Sequence, residues 1–223
     1  MPVSRETERP DAQVIADWFG AGNARIQQYA ELLATEGVRR GLIGPRELPR
    51  LWTRHVLNCV VVHRLIAPGC SVADLGSGAG LPGVVLAVAR PDLTMTLIEP
   101  LLRRTRFLEE VTADLELSNL TVLRARAEEL DGRAAFDVVV ARAVAPLNRL
   151  AGWALPLCRP GGELLAIKGG SAAAELEQAA AVLTRLHAGE ATIELCGAGV
   201  VEPATTVVRI LSQAPTPTQK GRS

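Results

Sequence analysis

Lysine is nearly missing from this 223-residue chain: only Lys168 and Lys220 contribute to its 24 basic side chains, and arginine supplies the rest. An excess of charge is missing too. Twenty-four acids balance the 24 bases, so no global field draws the molecule to nucleic acid or to a membrane. Cysteines are few and unpaired in pattern. Cys59, Cys70, Cys158 and Cys196 form no C-x-x-C and have no histidine at ligand spacing. That argues against a disulfide framework and a zinc site, and for free thiols in a reducing compartment. No apolar run approaches the ~20 residues that span a bilayer. The opening "MPVSRETERPD" has the features of neither a signal nor a transit peptide. The expectation is a cytoplasmic, metal-free, monomeric protein.

What the chain does have is a large apolar share, 48%, enough for one globular domain with an added element. Residues 1–10 read as a disordered tail and 214–223 as a flexible one. From 11 to 66 the pattern is helical. Asp11 stands where a cap belongs, Val14, Ile15, Trp18 and Phe19 follow, and Ile26, Tyr29, Leu32 and Leu33 repeat at helical spacing up to Gly37. After the turn-rich 41–50, a further helix is predicted over 51–66. From 67 to 213 short β-rich runs (71–75, 94–99, 120–124, 136–141, 162–168) alternate with helical ones (82–90, 101–115, 146–158, 171–187). Such alternation implies a parallel sheet covered on both faces. Residues 191–197 and 205–212 leave no room for a helix between them, which predicts a closing antiparallel hairpin.

Most informative is "VADLGSGAGLPGVVLA" (72–87). A buried strand runs into a turn made of Gly76, Gly78 and Gly80, with Pro82 expected to open the next helix. Glycines there admit positive φ and leave main chain free for a ligand at the carboxyl edge of the sheet. Read from Gly78 the segment is also a G-x-G-x-x-G, the dinucleotide pattern. Asp74, two residues before the first glycine, suits a cationic ligand better than a pyrophosphate, although it also reads as a cap or turn residue. Glu99 ends the second strand, where a carboxylate accepts ribose hydroxyls of either kind of nucleotide, or is simply solvated. Ala127 and Glu128 follow the third strand, placed for an adenine or as a solvated helix start. Arg142 and Lys168 end the fourth and fifth strands as two cations on one sheet edge, each with a salt-bridge or structural reading beside the functional one. Six arginines and one acid occupy 39–64, and Arg103, Arg104 and Arg106 form a second cluster. Both are candidate phosphate-binding rims or solvated faces.

Taken with "RHVLNC" (54–59), "TLIEPLLRRTRFLEEV" (96–111), "RAEEL" (126–130), "ARAVAPL" (141–147) and "LLAIKGG" (164–170), the chain resembles the bacterial ribosomal RNA small-subunit methyltransferase G family, once called glucose-inhibited division protein B. The resemblance implies a class I methyltransferase fold: Rossmann-like α/β, with a seven-stranded, mostly parallel sheet ending in an antiparallel hairpin and a helical N-terminal extension. It implies S-adenosylmethionine as methyl donor, S-adenosylhomocysteine as product, and N7 of one guanine in the decoding-region loop of 16S rRNA as target, on naked rRNA or the 30S subunit. Cofactor contacts are then expected at Gly76, Leu81, Ala127, Glu128 and Arg142, with Asp74, Gly78, Gly80 and Glu99 lining the pocket. Arg142 and Lys168 are the expected catalytic pair. Arg39, Arg40, Arg46, Arg50, Arg54, Arg103 and Arg104 are the expected RNA contacts. Guanine N7 has no proton to lose, so no general base is required, and no His–acid pair is visible at the site. His55 and His63 read as structural or RNA-facing. The rivals are a class I methyltransferase with another substrate, an NAD-dependent oxidoreductase, and a non-enzymatic nucleotide-binding module.

Overall fold

A computed structural model describes residues 10–130 and 136–213. The two expected tails, Pro10 apart, lie outside the described residues.

Seven strands form one sheet: β1 (Ser71–Leu75), β2 (Thr94–Ile98), β3 (Leu120–Leu123), β4 (Phe136–Arg142), β5 (Cys158–Lys168), β6 (Ala188–Cys196) and β7 (Thr205–Ser212), in the order β3-β2-β1-β4-β5-β7-β6. The first five are parallel; β7 runs antiparallel to both β5 and β6. β1 and β4 are central, so both faces are buried and the strands read as nearly unbroken apolar runs.

Side-chain alternation divides that apolar content between two cores. Val72, Val138, Val140, Leu165 and Val207 face one; Ala73, Val139, Leu164, Ala166 and Val208 face the other. The second core is closed by α6 (Leu147–Ala154) and α7 (Ala172–Arg185). The first is closed by α4 (Gly83–Ala89), by α5 (Leu102–Asp114), and by α1 (Ala12–Phe19) and α2 (Asn23–Leu32). Ile15, Ile26, Tyr29, Val56 and Val60 from residues 11–66 are fully buried in that same core. The N-terminal helices are therefore a layer on one sheet face.

Several local expectations shift. Asp11 sits at the N-cap of α1 but makes no side-chain cap bond. Helical structure runs through Gly37, with a wide turn at Leu33–Gly37. The expected helix 51–66 changes pitch twice, from a wide turn (Leu51–Leu57) through α3 (Asn58–Val60) to a 3₁₀ turn (Val61–Leu65). Pro82 is the N-cap of α4, not its first residue. The helix begins at Gly83, whose N–H donates to the Asp74 carboxylate at 2.9 Å.

Candidate active site

Asp74 points from β1 into the first core, on the side of Val72, and is fully buried. One carboxylate oxygen receives the Gly83 N–H; the other, Oδ1, has no partner among the described residues. Burial drives its pKa up to about 7, against the opposing pull of the Gly83 N–H and the Ser77 hydroxyl. The side chain is thus both a helix cap and a half-satisfied acid. The three turn glycines serve different ends. A Cβ at Gly76 would stand 2.8 Å from Val144 Cγ2, and one at Gly80 would stand 2.6 Å from Val84 Cγ2 and 2.9 Å from the Tyr29 hydroxyl. Those two are small because protein packs on them. Only Gly78, at φ +59°, faces open space: a Cβ there would have the Gly76 carbonyl oxygen, at 3.8 Å, as its nearest neighbour. Tyr29 of α2 secures the turn by donating to the Ala79 carbonyl at 2.8 Å. Glu99 lies beneath it, 1% exposed, accepting the N–H groups of Gly78 and Leu101 at 3.0 Å each.

Over this turn lies a cavity of about 280 Å³ lined by Gly76, Ser77, Gly78, Leu81, Glu47, His55, Arg104 and Arg142, among others. Beside it, sharing Arg142 and Ala143, opens a larger cleft of about 920 Å³ between the ends of β4 and β5 and the 51–58 helix. Arg50, Arg54, Arg142 and Lys168 outnumber Glu175 and Glu202 along its walls, which favours an anionic occupant. Lys168 donates to the Ala145 carbonyl and to Glu175, both at 2.7 Å. Glu175 also accepts the Leu147 N–H at 2.9 Å, so the two loops flanking the cleft are tied through one carboxylate.

Arg142 stands at the junction of the two spaces. Its Nη1 donates to Cys59 Sγ at 3.1 Å and its Nη2 lies 2.5 Å from His55 Nδ1. His55 Nε2 in turn lies 2.9 Å from Glu47 Oε2. This corrects the reading of the site as lacking a His–acid pair. Arg142 and His55 are 87 residues apart in the chain, and only the docking of the N-terminal layer onto the sheet face brings them together. The one signal in the sequence was "RHVLNC", which places a histidine and a cysteine one helical turn apart.

The remaining expected residues are more dispersed. Ala127 and Glu128 begin the 3₁₀ turn Ala127–Leu130 and line neither cavity; Ala127 packs against the second core and Glu128 is exposed. Arg39 pairs with Glu36, and Arg40 with Glu36 and Glu110. Arg50 and Arg54 share Glu47 at 3.4 and 3.5 Å, and Arg104 reaches Glu99 at 3.4 Å. Arg46 and Arg103 are exposed and make no ion pair among the described residues. No cluster of metal-ligating side chains occurs among the described residues, and no helix of the structure is long and apolar enough to cross a membrane.

The family model described as rRNA small subunit methyltransferase G matches residues 22–203. The ribosomal RNA small subunit methyltransferase G of Thermobifida fusca is 60% identical over 192 residues, covering 86% of this chain and 81% of the relative. That of Streptomyces coelicolor is 55% identical over 202 residues, covering 90% and 84%. Among solved structures, a SAM-dependent methyltransferase from Aquifex aeolicus superposes with a TM-score of 0.53 at 16% identity, over 74% of this chain and 93% of the other. TYW2 of P. horikoshii, in complex with MeSAdo, gives 0.57 at 13% identity, over 72% and 63%. At these identities the likeness is one of fold alone.

Proposed function

This chain belongs to the rRNA small subunit methyltransferase G family, and from that premise we propose that it transfers the methyl group of S-adenosylmethionine to N7 of one guanine in the decoding-region loop of 16S rRNA, acting as a cytoplasmic monomer on naked rRNA or the 30S subunit. When bound, S-adenosylmethionine supplies an electrophilic methyl on a sulfonium and leaves as S-adenosylhomocysteine. The observation that carries the proposal is the pair of cavities joined at Arg142, one over an open glycine backbone with buried acids below it, the other lined with cations.

The residues present suit the cofactor. Asp74 keeps an unpartnered buried oxygen that favours a cationic neighbour. Glu99 ends the strand where ribose hydroxyls are held, and taking them requires it to exchange its bonds from the Gly78 and Leu101 N–H groups. Gly78 leaves main chain uncovered, with Gly76, Gly80 and Leu81 shaping the turn around it. Ala127 and Glu128 line neither cavity, and their place beside the adenine edge rests on the family resemblance alone. The dinucleotide reading fits less well, because the buried Asp74 carboxyl lies under the turn where that pattern would hold a pyrophosphate.

On the substrate side Arg142 and Lys168 hold the guanine O6 edge or a flanking phosphate. A guanidinium on N7 itself would block the lone pair that attacks, so the contact falls on O6 or phosphate. Rate enhancement comes from alignment of nucleophile, methyl and sulfur, worth up to ~7–11 kcal/mol in favourable cases. Arg39, Arg40, Arg46, Arg50, Arg54, Arg103 and Arg104 supply the surrounding phosphate contacts. The test is transfer of labelled methyl to 30S subunits that lack the modification, with mapping of the modified base. Arg142→Ala is expected to abolish transfer and leave the circular dichroism spectrum unchanged. Full N7 methylation by that variant removes Arg142 from the mechanism, and modification of another base or molecule class replaces the substrate.

A further inference from the structure

The two groups on which Arg142 rests are neutral. A guanidinium has only donors, so the His55 Nδ1 atom, 2.5 Å from Arg142 Nη2, presents its lone pair. The single proton of the neutral ring therefore sits on Nε2 and is donated to Glu47 Oε2 at 2.9 Å. Cys59 accepts the other Nη and stays a thiol, its pKa pushed up by burial. No carboxylate forms an ion pair with Arg142 among the described residues. The guanidinium is thus aimed without being neutralised, and its charge remains for a ligand.

We infer that His55 is a positioning residue: as the Nε2–H tautomer selected by Glu47, it holds the Arg142 guanidinium at the junction of the two cavities, and its protonation releases that guanidinium. The inference rests on the reading of Arg142 as a substrate-gripping group. Protonated His55 would turn an N–H toward an N–H across 2.5 Å, and the contact would convert from a hydrogen bond to a repulsion between two cations.

The groups around the ring set where this happens. Burial is the main force holding the His55 pKa below 6.5, Arg142 on β4 adds to it, and Arg54, one residue earlier on the same helix, adds a little more. Glu47, from the 3₁₀ turn Pro45–Arg50, pulls the other way. Glu47 is itself held below the ordinary carboxylate value, chiefly by its bond to His55 and then by Arg54 and Arg50. The latch is therefore closed at neutral pH and opens on acidification, with a midpoint below 6.5.

The experiment measures kcat and KM for methyl transfer to 30S subunits lacking the modification, between about pH 5.5 and 8. His55→Leu removes the acceptor, and kcat is expected to fall about 10²-fold, the scale of an ångström-level misplacement. His55→Asn puts an amide oxygen near the place of Nδ1 and carries no titratable proton. It is expected to recover most of that loss and to lose the His55 part of the wild-type acidic limb, leaving the part set by Asp74, which titrates at about 7 in both proteins. Glu47→Gln removes the charge that favours the imidazolium, so the acidic limb moves to lower pH; this variant answers the question even where His55→Leu does not fold. A residue that only props the fold would lower activity equally at every pH and leave the limb in place. An acidic limb unchanged in His55→Asn, or a His55→Leu enzyme with wild-type kcat, overturns the inference. Arg142→Ala separates the two levels: if it is inactive while His55→Leu is fully active, only the positioning role fails, whereas an active Arg142→Ala removes the reading beneath it.

Discussion

Asp74 fixes part of the pH dependence of stability. Its carboxyl titrates near 3.8 in an unfolded chain and at about 7 in the folded one. Between those values the folded state holds a proton that the unfolded state has lost, so stability falls as pH rises from about 4 to about 7 and then levels off. Each pH unit across that window is worth about 1.4 kcal/mol, so moving from about pH 5.5 to about pH 8 removes about 2 kcal/mol. In a domain of this size that is a fall of roughly 4–8 °C in melting temperature. Asp74→Asn has no charge to bury, and its amide oxygen still accepts the Gly83 N–H. His55 and His63 both have lowered pKa values, chiefly from burial, and each adds stability as pH rises through 6.5. They do so in both proteins and cancel in the difference. Urea unfolding of wild type and Asp74→Asn at the two pH values is therefore expected to show their stability difference changing by about 2 kcal/mol, in favour of the variant at high pH. Parallel behaviour of the two proteins across the range would refute a raised Asp74 pKa, and with it the account of its unpartnered oxygen.

Gly80→Ala meets both a φ of +96° and a Cβ 2.6 Å from Val84, and is expected to cost on the order of 3 kcal/mol of stability. Gly78→Ala, with open space around it, is expected to cost only ~1 kcal/mol while weakening S-adenosylmethionine binding at least tenfold; calorimetric titration alongside thermal melts separates the two, and equal effects on both readouts would refute the division of roles. Replacing the unpaired Arg46 and Arg103 by Gln is expected to reduce the log–log salt slope of 30S binding by ~0.7–0.9 per lost phosphate contact, and an unchanged slope would place the RNA elsewhere.

The fold was largely legible because its signals are local. Alternating β-rich and helical runs pointed to the parallel sheet, and the short gap between 197 and 205 to the antiparallel end. The turn glycines marked the carboxyl edge of the sheet, but spacing alone did not distinguish Gly78, where a Cβ has room, from Gly76 and Gly80, where one would strike Val144 and Tyr29. That distinction depends on side chains far away in sequence. The Glu47–His55–Arg142 chain was hidden for the same reason, since its members meet only when one layer docks on another. Asp74 lies under the glycine turn as its place in the sequence suggested, while its partner, the Gly83 N–H, needed the actual start of α4. The charge clusters at 39–64 and 103–106 were visible, but the pairing of their members with Glu36, Glu47, Glu99 and Glu110 was not.

The insertion of β7 between β5 and β6 has a consequence for biosynthesis. A nascent chain that has emerged as far as residue 200 carries β6 without its only neighbour and β5 with one exposed edge. Neither can complete its backbone pairing until Thr205–Ser212 leaves the exit tunnel and threads between them, so β5, which carries Lys168, gains its second neighbour only after β6 has already been made.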